Sequence, residues 1–142
     1  MYGRLSSQMH SRALGRFDAF LVAAMVPLFI AALIADYAYW TSFQVEWSNF
    51  ASWLVAGGLV FGAAALVFAA SDVSLDGGKG KSLVYSLLLL LTWLLGFINA
   101  FVHARDAWAV MPSGLVLSLV VALLACVTAF VGFAHLPGGR AP

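Results

Sequence analysis

Four polar residues in or beside apolar segments are the part of this 142-residue chain that could carry chemistry. Asp36 is the only acid inside a predicted membrane span, and Asn99 and His103 lie four residues apart on one predicted helix, just before Arg105. Residues four apart share a helix face, and ionisable groups at membrane depth are costly unless they pair or line a polar path. We therefore expect these four residues to form a polar intramembrane cluster near one interface.

Three roles are open to this cluster. The favoured one is an interhelical clamp, in which Asp36 pairs with His103 or Arg105 and fixes helix one against helix three. A polar pocket for a ligand, a proton or a quinone headgroup is the second, and exposure of these side chains to solvent is the third. The clamp is favoured because an unpaired Asp in lipid would cost several kcal/mol or take up a proton.

Haem ligation is the sharpest alternative, because small four-helix membrane cytochromes hold haem between histidines on facing helices. Here His103 falls at the outer end of helix three, His135 at the inner end of helix four, and His10 in the N-terminal segment. These depths differ by close to a full bilayer, about 30 Å. No two of these histidines in one chain are therefore expected to ligate one haem.

Other cofactor and catalytic motifs are also missing from the sequence. No HxxxH or CxxC spacing suggests a metal site, and no nucleophile motif suggests a hydrolase. The stretch Gly78–Ser82 lacks the spacing and the strand–helix context of a phosphate loop. The expectation is a protein without catalytic residues, metal or cofactor, and therefore not an enzyme.

The composition places these residues in a membrane protein. The chain is 63% hydrophobic and only 9% charged, whereas about a quarter of the residues of a soluble domain are charged. Its seven Lys and Arg residues are dispersed, so no basic surface for nucleic acid is predicted. The single Cys126 lies in an apolar segment and is expected to serve packing.

Four segments are long enough to span a bilayer, which takes about 20 helical residues. The first follows an Arg-bearing approach, runs without charge from Ala19 to Ala35, and ends in an aromatic patch at Tyr37–Trp40. The predicted fold is all-α: an integral membrane, antiparallel four-helix bundle with short connections. The predicted spans are 19–40, 49–70, 83–103 and 112–135, flanked by tails at 1–18 and 136–142.

The distribution of positive charge predicts the orientation of the bundle. With the N-terminus inside, only Arg105 lies outside, and every other Lys or Arg is cytoplasmic, which obeys the positive-inside rule. Both termini are then cytoplasmic, and the protein is placed in a bacterial inner membrane. The cytoplasmic residues are Arg4, Arg12, Arg16, Lys79, Lys81 and Arg140.

Helix two is rich in small residues and contains Gly58 and Gly62 at GxxxG spacing. Two glycines one turn apart allow close helix contact, which is where membrane helices gain packing energy. We expect Gly58 and Gly62 to be a helix-packing face. Its partner is a helix of the same chain or, less favoured, one of another subunit.

Several segments of the chain resemble the DUF2231 family of bacterial membrane proteins, over about residues 20 to 133. They are Val26–Phe29, Asp36–Trp40, Ala51–Leu59 and Gly114–Ser118, together with Asn99. The resemblance implies a four-helix inner-membrane protein of undetermined function, with some relatives fused to or encoded beside redox modules. Where relatives tend to carry histidines, this chain has Phe20, Met25 and Tyr85, so any metal or haem bound through those histidines is not expected here.

These observations favour a non-enzymatic polytopic membrane protein acting as an accessory or structural subunit of a larger membrane complex. Its expected partners are the lipid bilayer and other membrane subunits or further copies of itself, with no nucleic acid. The alternative is a small redox-associated protein that binds a quinone or a haem shared between subunits. A transporter or channel is disfavoured, because one chain offers few intramembrane charges and no broken inverted repeat.

Overall fold

In the computed structural model the chain is all-helical. The backbone is described for residues 2–75, 80–105 and 107–134, and the side chains for residues 16–71, 83–105 and 109–134. The helices are α1 (Tyr2–Ser42), α2 (Val45–Leu75), α3 (Gly80–His103), α4 (Ala107–Val110) and α5 (Ser113–Ala134). The predicted C-terminal tail, His135, Arg140 and part of the polar stretch before helix three lie outside the described residues.

Four of these helices are long and apolar enough to cross a membrane, in agreement with the prediction from the sequence. The apolar segments that meet this criterion are Arg16–Ser42, Val45–Ser71, Leu83–His103 and Ser113–Ala134. Each is close to or longer than the roughly 20 residues that a hydrocarbon core requires. The predicted spans differ from these segments by a few residues at their ends, where helix boundaries are least determined by hydropathy.

The first helix is longer than the sequence suggested. The polar segment predicted as a tail up to Asp18 is helical from Tyr2 and continues into the first span. Pro27 lies inside this helix, where it lacks the backbone N–H that would bond to the preceding turn. The helix passes through it, as membrane helices commonly do.

A two-residue connection, Phe43 and Gln44, replaces the predicted loop over 41–48. Phe43 has a φ of 57° and its backbone N–H donates to the carbonyl of Tyr39 at 2.8 Å. A left-handed residue with this bond is a common helix C-terminal cap. The hydroxyls of Thr41 and Ser42 bond back to the carbonyls of Tyr37 and Ala38, one turn earlier in α1.

Each long helix packs mainly against two neighbours. α1 packs on α2 and α5, and α3 packs on the same two helices. α1 and α3 therefore lie across the core from each other. Side chains that join α1 to α3 must cross the centre of the molecule, and the core between them holds Met25, Phe29, Leu89 and Val121.

A buried carboxylate–imidazole network as the candidate functional site

Asp36 lies on α1 with no solvent-exposed surface, and both of its carboxylate oxygens are engaged. His103 Nε2, at the end of α3, is 2.8 Å from Asp36 Oδ1. The hydroxyl of Ser118 on α5 donates to Asp36 Oδ2 at 2.5 Å. One carboxylate thus ties together α1, α3 and α5, including the two helices that face each other across the core.

The second nitrogen of His103 determines how protons are arranged in this pair. Nδ1 lies 3.0 Å from the backbone carbonyl oxygen of Asn99, and a carbonyl oxygen can only accept, so Nδ1 carries a proton. The 2.8 Å contact between Nε2 and Asp36 Oδ1 then needs one further proton between the two atoms. With that proton on either atom, Asp36 and His103 together carry no net charge.

The hydrogen-bond network continues from Asp36 through Ser118 to Asn99. Asn99 Nδ2 donates to Ser118 Oγ at 2.9 Å, and the Ser118 hydroxyl in turn donates a hydrogen bond to Asp36 Oδ2. The other end of the amide, Asn99 Oδ1, is buried and has no hydrogen-bond partner. Buried acceptors without a partner are uncommon, which makes this atom the one incomplete part of the network.

Local helix geometry explains why these side chains meet. Asn99 and His103 are one turn apart on α3, and Gly114 and Ser118 are one turn apart on α5. A Cβ placed on Gly114 would lie 3.3 Å from Cε1 of His103. Gly114 therefore leaves space for the imidazole ring while Ser118, one turn along, reaches the carboxylate.

Three of the four residues predicted to form the polar cluster come together, and one does not. Asp36, Asn99 and His103 are buried in one network. Arg105 is exposed beyond the end of α3 and is not a partner of either carboxylate oxygen of Asp36. The sequence reasoning missed Ser118, because a serine in an apolar helix often bonds only to its own backbone.

A second carboxylate lies at the other end of α1 and repeats the layout. Tyr85 on α3 donates its hydroxyl to Asp18 Oδ2 on α1 at 2.9 Å. A Cβ on Gly132 of α5 would lie 2.8 Å from the Tyr85 ring. We name these groups the Asp18 layer (Asp18, Tyr85, Gly132) and the Asp36 layer (Asp36, Asn99, His103, Gly114, Ser118).

The two layers are spaced identically on all three helices. Asp18 and Asp36, Tyr85 and His103, and Gly132 and Gly114 are each 18 residues apart. That interval is five helical turns, so both members of a pair share a face, about 27 Å apart along the axis. An acid, a ring and a glycine thus meet at both ends of the apolar core.

Between the layers, the glycines of α2 receive side chains from neighbouring helices. A Cβ on Gly58 would lie 2.8 Å from the Phe29 ring, and one on Gly62 would lie 3.1 Å from both Met25 Sδ and Trp93 Cδ1. The Phe29 ring also lies against Gly96 of α3. Gly58 and Gly62 therefore contact helices of the same chain, and they accommodate side chains instead of a closely approaching backbone.

The positions where relatives tend to carry histidines are dispersed in this chain. Met25 is buried against Gly62, Phe20 is exposed, and Tyr85 bonds to Asp18. No group of three or more His, Cys, Asp or Glu suited to a metal ion occurs among the described residues. His103, the only histidine whose side chain is described, has both ring nitrogens hydrogen-bonded.

An apolar groove of about 480 Å³ lies between α1 and α5. No member of the Asp36 layer lines it, although Tyr37 and Leu119 adjoin Asp36 and Ser118 in sequence. Its lining residues are Leu33, Ile34, Tyr37, Leu115, Val116 and Leu119.

Comparison with known proteins gives one result, at the level of the family. No curated protein and no solved structure matches the chain. The profile of the DUF2231 family, described as predicted membrane proteins, matches residues 18–135. This segment contains both layers and all four candidate spans from Asp18 onward, and the chain belongs to the DUF2231 family of predicted membrane proteins.

Proposed function

We propose that this protein is a non-enzymatic subunit of a larger membrane complex, and that the Asp36 layer is a structural clamp within it. The observation that carries the proposal is that Asp36 and His103, the buried acid and the buried histidine of the described residues, bond to each other. A catalytic site needs an acid, base or nucleophile directed at a substrate. Here both carboxylate oxygens and both ring nitrogens are already engaged by the chain itself.

A second buried pair supports the same role. The hydroxyls of Thr92 on α3 and Thr128 on α5 lie 3.0 Å apart, and each also bonds to a carbonyl of its own helix. Side-chain hydrogen bonds between membrane helices are worth about 0.6 kcal/mol on average and at most about 2 kcal/mol. Pairs of this kind determine helix register more than they provide chemistry.

We further propose that the helices form an antiparallel bundle with both termini in the cytoplasm of a bacterial cell. The antiparallel arrangement is supported by α3 and α5. His103, late in α3, lies against Gly114, early in α5, whereas the earlier Tyr85 lies against the later Gly132. The orientation rests on positive charge, since Arg105 would be the only Lys or Arg outside. The separation of the two layers, about 27 Å, would place one near each edge of a hydrocarbon core of about 30 Å.

The surface of the proposed bundle offers apolar contact to lipid and to partners. On α3 the rings of Trp93, Phe97 and Phe101 form a continuous row with centroids 5.2 and 5.0 Å apart. Phe97 and Phe101 are exposed, and the Trp93 indole donates to the Leu59 carbonyl of α2 at 3.1 Å. The expected partners are other membrane subunits or further copies of this chain.

Native electrophoresis tests the accessory role. Membranes that contain the tagged chain are solubilised in mild detergent, and the size of the tagged species is compared with that of the purified chain in the same detergent. We expect a larger, defined species in which a photo-crosslinking residue at Phe97 gives one discrete adduct. Migration at the size of the purified chain, without an adduct, would contradict the proposal.

Cysteine labelling tests the orientation in a Cys126→Ala background. A membrane-impermeant reagent added from the periplasm should reach a cysteine at Gln44 or Ala107 and miss one at Gly78 or Gly139. Labelling at Gly78 from outside would reverse the assigned orientation without affecting the clamp.

The redox alternative is tested by a visible spectrum. Both nitrogens of His103 are in use, so a haem shared between subunits would have to break this network. We expect the purified protein to show no Soret band. A Soret band that is lost in His103→Gln would show that His103 is a haem ligand, and the clamp assignment would be wrong.

A further inference from the structure

The Asp36 layer contains one feature that a clamp does not require, the unpartnered Asn99 Oδ1. This oxygen belongs to a fully buried residue whose amide nitrogen is bonded to Ser118. An apolar residue of similar size at position 99 would leave no such orphan. His103 would lose nothing by that exchange, because its bond is to the backbone carbonyl of residue 99.

We propose that the Asp36 layer is a proton-binding site, in which a second proton is held on Asp36 Oδ2 by reversal of the hydrogen bonds through Ser118 to Asn99. The proposal deepens the clamp assignment and uses the same residues. The ligand is a proton from the aqueous phase, and the site needs no other cofactor.

The first proton is already required by geometry. Nδ1 of His103 carries a proton, which it donates to the Asn99 carbonyl oxygen. A carboxylate oxygen and a bare Nε2 at 2.8 Å would then place two lone pairs against each other. The proton between them removes that repulsion. The resting network is then Asn99 Nδ2–H to Ser118 Oγ, Ser118 O–H to Asp36 Oδ2, and one shared proton at Oδ1.

The second proton reverses one arm of this network. It forms a new O–H bond at Asp36 Oδ2, and this hydroxyl donates to Ser118 Oγ. The Ser118 hydroxyl rotates away from Asp36, and the Asn99 amide turns so that Oδ1 accepts from it. One O–H bond is formed at Oδ2, the shared proton then resides on His103 Nε2 and is donated to Oδ1, and the layer changes from no net charge to one positive charge on the imidazole ring. The unpartnered atom changes from Asn99 Oδ1 to Asn99 Nδ2.

Among the described residues, few other titratable groups face the site from the surrounding helices. On α1 its nearest titratable neighbours are Tyr37, which is exposed, and Tyr39, which is buried. α3 contributes His103 itself, the described part of α5 contributes the exposed thiol of Cys126 but no carboxyl or basic group, and Glu46 at the start of α2 is exposed. Beyond α3, Ala104 and Arg105 are exposed.

The Asp18 layer provides a natural comparison inside the same molecule. Its ring is a phenol, which donates one hydrogen bond to Asp18 but cannot form the two-sided contact of an imidazole. The same acid–ring–glycine layout is therefore present with a ring that cannot form this two-sided contact.

Infrared difference spectroscopy tests the proposal on the whole chain in lipid nanodiscs. Acidification from about pH 8 to about pH 4 covers the ordinary titration of Asp and His side chains. We expect a protonated carboxylic acid band to appear that is lost in Asp36→Asn. Asparagine preserves the clamp, because its amide donates to His103 Nε2 and its oxygen accepts from Ser118.

Asn99→Leu is the variant that separates proton binding from the clamp. It preserves the backbone carbonyl that anchors His103 and the Ser118 bond to the carboxylate. It removes the donor to Ser118 Oγ from the resting form and the acceptor of the Ser118 hydroxyl from the protonated form. Because a buried donor without a partner is rarer in proteins than an under-satisfied acceptor oxygen, the protonated form should lose more, and we expect the midpoint of the band to move to lower pH. Thr92→Val, which removes a buried hydroxyl from the same helix outside the network, should leave the midpoint unchanged.

The possible results are decisive in both directions. No Asp36 band in the parent protein, or equal midpoints in Asn99→Leu and the parent, would overturn the proton site. An equal shift in Thr92→Val would do the same, because the effect would then be general. If the band is absent while Asp36→Leu still destabilises the fold, the clamp stands without the proton site.

Discussion

The Asp18 layer and the Asp36 layer share one layout and differ in the ring that meets the acid. In both, an acid on α1 meets a ring on α3 that lies against a glycine on α5. Tyr85 offers its acid one donor, whereas His103 is held at both nitrogens and belongs to a network with Ser118 and Asn99. The shared layout sets the register of the helices. The ring and its neighbours determine how many hydrogen bonds the acid of each layer receives.

Burial strengthens this difference. Asp36 and His103 have almost no exposed side-chain surface, whereas Asp18 and Tyr85 are half-buried. Unpaired polar groups cost most where water cannot replace the lost partner. Changes in the Asp36 layer should therefore have larger effects than equivalent changes in the Asp18 layer.

The largest expected effect is that of Asp36→Leu. It leaves His103 Nε2 and the Ser118 hydroxyl without their hydrogen-bond partner. Each buried polar group left in this way lowers the unfolding free energy by about 1 to 3 kcal/mol. Asp18→Leu is the matched control and should cost less, because Asp18 and Tyr85 are only half-buried. Unfolding in mixed micelles measures both, and equal losses would remove the distinction between the layers.

The apolar core between the layers gives the next effect. Gly58→Ala places a methyl group against the Phe29 ring and should cost about 1 to 3 kcal/mol through overpacking. Gly57→Ala on the same helix is its control, since a Cβ there would lie 3.5 Å from Leu28, an ordinary contact. Should both variants unfold alike, the Gly58 contact would not be tight, and the packing role given to Gly58 and Gly62 would fail.

Tyr85→Phe sharpens the comparison from the Asp18 side. It removes the hydroxyl that donates to Asp18 and keeps the ring against Gly132. The expected loss is about 0.5 to 1.5 kcal/mol, the usual net value of one hydrogen bond. The same unfolding assay measures it, and a loss as large as that of Asp36→Leu would mean that the two layers carry equal weight.

The smallest expected effect is that of Asp36→Asn. Because an amide supplies one donor and one acceptor, it can satisfy both His103 and Ser118, and the unfolding free energy should change by less than about 1 kcal/mol. Destabilisation as severe as that of Asp36→Leu would show that the clamp depends on ionic charge, which the hydrogen-bond description does not require.

The sequence anticipated the three members of the network that stand out chemically. Asp36 is an acid in an apolar span, and Asn99 and His103 share a helix face, so each was visible from residue type and spacing. Ser118 and Gly114 were not assigned a role, because serine and glycine are common in membrane helices for packing reasons alone. Arg105 was grouped with them by its proximity in sequence, but it lies past the end of α3 and is exposed.

The 18-residue repeat was likewise present in the sequence and was not recognised there. Asp18 and Asp36 on α1, and Tyr85 and His103 on α3, were each separated by five turns. Nothing local indicates that these two intervals belong together. They acquire meaning only when α1 and α3 are aligned across the core at one register.

What the sequence determined by itself was the class of molecule: all-helical, with four spans and an apolar surface. Length and hydropathy suffice for that, because each span must satisfy its backbone hydrogen bonds alone in lipid. The tertiary structure decided which helices face each other, and hence that Asp36 meets His103 and Ser118 while Phe29 lies between Gly58 and Gly96. Those contacts depend on the rotation and register of each helix against its neighbours, which arise from side-chain packing across the whole core and are not contained in any single segment.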